Sequence, residues 1–93
     1  MSLMEQLLQT LTSRGSLALA NRLRTDWSQP AGHWHSYSND HEQICSFLNK
    51  YLDHNDDDAR LSLCPSNGRG ILFSEIMSDV IPVIGKKLGV GNG

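Results

Sequence analysis

Several things are scarce in this chain of 93 residues. No stretch approaches the ~18 consecutive apolar residues that a membrane-crossing helix needs. A strong field of one sign is missing too, because 8 Lys and Arg face 10 Asp and Glu, for a net charge of −2. There is thus no broad basic surface to attract nucleic acid and no acidic one to imitate it. There are 2 cysteines, Cys45 and Cys64, and no C-x-x-C pair, which leaves no standard zinc spacing. Neither a Walker pattern nor a dinucleotide fingerprint occurs. Residues 1–12 hold no basic stretch ahead of an apolar run, so a signal peptide is not expected. From these absences we expect a cytoplasmic protein with no membrane partner. Its cysteines should be reduced and serve as buried small hydrophobes rather than as a disulfide.

Length sets the next bound. The chain is expected to be one domain, residues 1–93, with residues 89–93 a frayed tail. A domain this small buries only about two-thirds of its extended-chain surface, so its own core gives marginal stability. Pairing with a copy of itself, as a homodimer, or with another protein would offset that deficit. Acidity is concentrated in one segment: residues 39–60 carry two basic and six acidic side chains, while the flanking thirds are each net +1.

The hydrophobic periodicity is helical. Leu3, Met4, Leu7, Leu8 and Leu11 form one stripe, with Ser2 and Glu5 in capping-box positions. Gly15 suits the left-handed residue after a helix, and Ser16 can cap the next one. Leu19, Ala20, Leu23 and Trp27 mark a second helix, which Pro30 ends. A third helix follows from the Asn39 and Glu42 capping pattern, with Ile44, Cys45, Phe47, Leu48, Tyr51 and Leu52 as its apolar face. Residues 57–64 suit a short strand or a helical turn, and the turn is favoured because an isolated strand has nothing to pair with. A last helix is expected from near Ile71, with a stripe of Phe73, Met77, Val80 and Ile84 widened by Ile76, Ile81 and Leu88. Pro82 falls inside it and should either kink the helix or restart it. The expected fold is all-α: a small bundle of four to five short helices with an irregular aromatic and histidine-rich loop at residues 30–38.

Each candidate chemistry has a plain structural counterpart. His33, His35, His41 and Cys45 are zinc-capable, and His41 and Cys45 are one helical turn apart. If the loop is extended, His33 and His35 share a side. The plain reading puts Cys45 in the core and the histidines in water. Asp53, Asn55 and Asp57 match the start of a calcium loop, but Asp58 stands where Gly is required and Cys64 where Glu is. Residues 67–70, Asn-Gly-Arg-Gly, precede a helix and could cradle an anion, though an ordinary turn explains them as well. A Cys45–His41 catalytic pair lacks an orienting third group and a pocket, so no enzyme is expected. The first two helices, with Arg14, Arg22 and Arg24, have the outline of a helix-turn-helix, but also that of a plain helical hairpin.

Contact with another protein gathers what is left. Trp and Tyr are favoured interface anchors, and the last helix is apolar on more than one face. The expected partner-binding residues are Trp34, Tyr37, Phe73, Met77, Val80 and Ile84. The function expected is a small non-enzymatic regulator that binds and modulates another protein, of the inhibitor, antirepressor or adaptor type. Phages and mobile elements encode proteins of this size and composition. A helix-turn-helix DNA-binding regulator is the runner-up, and a zinc-stabilised domain the third reading; no other cofactor is expected.

Overall fold

A computed structural model of the chain describes residues 2–30, 32–52 and 72–90. Residues 53–71, which hold the calcium-loop resemblance, the segment at 57–64 and the turn at 67–70, lie outside the described residues, as does Cys64. Among the described residues the fold is all helical and contains no strand. Helix α1 spans Leu3–Ser13, α2 Leu17–Trp27 and α3 Asp40–Asn49, with a short 3-10 helix at His33–Ser36 between α2 and α3. Helix α4 is a continuous run made of Phe73–Glu75, a π-helical Ile76–Val80 and Ile81–Leu88. No described helix is long and apolar enough to cross a membrane.

The helix boundaries follow local chemistry. Glu5 N–H donates to Ser2 Oγ at 3.1 Å and Glu42 N–H to Asn39 Oδ1 at 3.1 Å, so both expected caps form. At the end of α1, Gly15 takes φ +82. Ser16 N–H then reaches Leu11 O at 2.9 Å and Gly15 N–H reaches Thr12 O at 3.1 Å, the Schellman arrangement. Ser16 makes no side-chain capping bond to α2. Gly89 repeats the device at the end of α4 with φ +74, Val90 N–H to Gly85 O at 2.9 Å and Gly89 N–H to Lys86 O at 3.2 Å. Gly89 and Val90 close the helix, and Val90 packs against the core; the rest of the tail, residues 91–93, lies outside the described residues.

Pro82 neither restarts the last helix at its first residue nor ends it. A proline inside an α-helix removes one N–H and pushes its ring against the carbonyl four residues back. Here the turn ahead of it widens: Ile81 N–H bonds to Ile76 O, five residues back instead of four. The wider turn relieves the clash, and Ile81 keeps helical dihedrals of φ −59 and ψ −42 although it precedes proline.

One buried cluster joins all four helices. It contains Met4, Leu7 and Leu11 from α1, Leu19, Ala20 and Leu23 from α2, Ile44, Cys45, Phe47 and Leu48 from α3, and Ile76, Met77, Val80, Ile81 and Ile84 from α4. Trp34 joins it from the 3-10 helix, and Leu3, Leu8, Trp27, Tyr51, Leu52, Phe73 and Leu88 pack around its edge. A bond from Leu3 N–H to Asp40 Oδ2 at 2.9 Å ties the first turns of α1 and α3 together.

Cys45 is buried, as a small hydrophobe would be, but it is disulfide-bonded and not a reduced thiol. The expectation of a reduced thiol is corrected at Cys45.

Candidate functional site

The aromatic segment after α2 is folded rather than loose. Gly32 N–H bonds to Gln29 O and His35 N–H to Gly32 O, which winds residues 33–36 into one 3-10 turn. The turn aims Trp34 inward, where it is 4% exposed. Gly32 makes this possible: a Cβ there would lie 2.3 Å from the Trp34 ring. Trp34 Nε1–H donates to Trp27 O at 3.2 Å, and His35 Nε2 lies 2.7 Å from the same oxygen. The latter contact is a hydrogen bond when the His35 proton sits on Nε2. Trp27 is the last residue of α2, so its carbonyl is one that the helix leaves unpaired.

Around this turn the rings interlock. Trp27 and Trp34 stack with centroids 6.3 Å apart, and Phe47 meets them edge-on at 5.1 and 4.9 Å. Tyr51 meets Phe47 edge-on at 5.5 Å. Such pairs add about 0.5–1.5 kcal/mol each beyond the area they bury. Lys50 Nζ lies over the cluster, 5.1 Å from the Trp34 ring, 5.4 Å from Phe47 and 4.9 Å from Tyr51.

Asp26 anchors the polar side of this corner. Its Oδ2 accepts from Tyr51 O–H at 2.6 Å and Arg22 Nε–H at 3.1 Å, and lies 3.6 Å from Lys50 Nζ. Burial alone would raise its pKa. The hydrogen bonds from Tyr51 and Arg22 and the charges of Lys50 and Arg22 outweigh that and hold the carboxyl below its ordinary value. Burial, then the bond to Asp26 and its charge, push the Tyr51 phenol up, so it stays a proton donor at neutral pH.

Beside the cluster lies an open groove of about 310 Å3, lined by His33, Tyr37, Ser46, Asn49 and Lys50. Tyr37 is 41% exposed. A second open concavity of about 510 Å3 is lined by Glu5, Leu8, Gln9, Thr12, Ser13 and Arg24.

The residues singled out from sequence fall into distinct places. Trp34, Met77, Val80 and Ile84 are enclosed in the chain's own core, Phe73 packs at its edge, and Tyr37 faces outward. Burial of the first four follows from their stripe position and, for Trp34, from the 3-10 turn. They belong to the buried cluster that braces the fold.

His33, His35, His41 and Cys45 do not converge. Among the described residues no three His, Cys, Asp or Glu side chains group as a metal ligand set. The segment is wound and not extended, so His33 and His35 do not share a side; the ring of His35 is held on Trp27, and the Cys45 sulfur is in a disulfide. Arg14, Arg22 and Arg24 are exposed on the α1–α2 hairpin. Arg22 is bonded to Asp26, and Arg24 Nη1–H donates to Asn21 Oδ1 at 2.8 Å.

Sequence reasoning gave Asp26 and Lys50 no role and read Tyr51 only as part of the apolar face of the third helix. The spacing of Arg22 and Asp26, four apart on a helix, was a legible sign of an ion pair. No local pattern signals the contact of Tyr51 with a residue 25 positions away.

No family model matches the chain, and neither a curated protein nor a solved structure does.

Proposed function

We propose that this protein works by contact, as a small non-enzymatic regulator that binds another protein and alters what it does, of the inhibitor, antirepressor or adaptor type. The observation that carries this reading is Tyr37, an exposed aromatic residue on the rim of a groove backed by a braced cluster of rings. An aromatic side chain on a rigid support contributes contact area with little ordering cost. The two concavities described are open and polar-rimmed, unlike the enclosed apolar pockets that hold small substrates. The DNA-binding reading has less support, since the α1–α2 hairpin offers only Arg14, Arg22 and Arg24 where a DNA reader neutralises several phosphates.

The test is affinity purification of the tagged chain with nuclease treatment, followed by binding measurements on whatever protein co-elutes. Tyr37→Ala is expected to weaken that complex by about 1–2 kcal/mol, roughly five- to thirtyfold. A co-eluting protein held equally well by the Tyr37→Ala variant would refute Tyr37 as an anchor. Recovery of nucleic acid alone would refute the protein-binding reading.

A further inference from the structure

The groove beside Tyr37 has a chemistry of its own. Among the described residues its lining offers an ammonium from Lys50, an imidazole from His33 and hydroxyls from Tyr37 and Ser46, with no carboxylate. Lys50 does not wave freely there. Its ammonium is held over three rings and near Asp26 Oδ2. That carboxylate also serves Arg22, so among the described residues two cations share this one anion. A cation fixed in place before binding loses little freedom when a counter-charge arrives.

From this charge complementarity we infer that the groove seats an aspartate or glutamate side chain from an acidic segment of the protein partner, with Lys50 as the counter-ion and Tyr37 packing against the segment. The inference rests on the protein-binding reading above. A nucleic acid is a poorer fit. It needs several phosphates neutralised along a track, and among the described residues this groove presents one lysine, on a chain of net charge −2. The chain's own acidic residues at 56–58 follow Lys50 closely in sequence and are the natural competitor to exclude.

The experiment selects short random peptides displayed on phage against the whole chain, then measures the winners by fluorescence polarisation. Variants Lys50→Gln and Ser46→Glu are compared, each first shown by circular dichroism to keep its helices. Ser46→Glu places a carboxylate in the groove without touching the core, so it remains informative if Lys50→Gln fails to fold. The expected result is enrichment of Asp and Glu in the selected peptides, with binding roughly ten- to a hundredfold weaker in both variants. Peptides without acidic enrichment, or acidic ones that ignore both variants, would overturn the groove assignment while leaving protein binding standing. Acidic peptides that bind only after Asp56, Asp57 and Asp58 are changed to Asn would overturn the partner assignment in favour of the chain's own acids. Absence of both a peptide and a co-purifying protein would overturn the two readings together.

Discussion

At Gly32 a single hydrogen in place of a methyl group decides how a whole corner is built. The Trp34 indole lies back over this residue, and the turn that carries it is only four residues long. Gly32→Ala forces the ring out of its seat between Trp27 and Phe47, and should cost about 1–3 kcal/mol, the range for overpacking a filled site. A thermal melt checks the stability, and a red shift in tryptophan emission checks the ring's displacement. Asp26 supplies the second expectation at this scale. Its folded pKa is lowered, so its contribution to stability is present above its ordinary value near 3.8 and is lost as pH falls through the folded value. In Asp26→Asn that part of the acid-side loss should vanish, leaving a less stable protein with a flatter stability curve below about pH 4. Urea melts across that range measure it. The role of Gly32 was not readable from sequence, and of Asp26 only the ion pair with Arg22 was. Gly32 resembled an ordinary loop glycine, and Asp26 met Tyr51 only through folding.

Among the elements, the four helices were legible because their signals are local. Apolar spacings of three and four, the Ser2 and Asn39 caps and the Gly15 stop all act within one or two turns. What could not be read were contacts between elements and departures from ideal geometry. The π turn ahead of Pro82 is one example, since proline's clash has several remedies and the packed core selects among them. The bond from Leu3 N–H to Asp40 is another, spanning 37 positions. Asp40 lies in the first turn of α3, where a carboxylate is favourable by itself, and it also takes an N–H that α1 cannot satisfy alone. Asp40→Ala should therefore cost about 1–2 kcal/mol. Pairing it with a Ser2→Ala variant in a double-mutant cycle tells how far the two helix starts act as one unit.

For the molecule as a whole, the candidate site was half visible. The density of aromatic and histidine residues at 33–37 drew attention to the right segment, but the division of labour within it was not legible. Trp34 and Tyr37 sit three residues apart, and one is core while the other is surface. The chain leaves the 3-10 turn at Tyr37, whose backbone is extended, and composition carries no trace of that exit. The disulfide at Cys45 also belongs to this scale, because cross-linking acts on the unfolded chain more than on any one contact. A reducing agent should lower the melting temperature, in line with the about 2–4 kcal/mol that a typical disulfide contributes. Differential scanning fluorimetry with and without reductant decides this, and an unchanged melting temperature would mean that the cross-link adds nothing to the folded state's margin.

The ring cluster has an optical consequence. The chain has 2 tryptophans, and both stand in the same corner, stacked on one another with His35 against them. Intrinsic emission is thus a local reporter, reading the junction of α2, the 3-10 turn and α3. Far-ultraviolet dichroism averages over every helix. The two signals watch different parts of one small body, so their agreement or separation along a denaturation curve measures whether that corner and the rest of the bundle melt together.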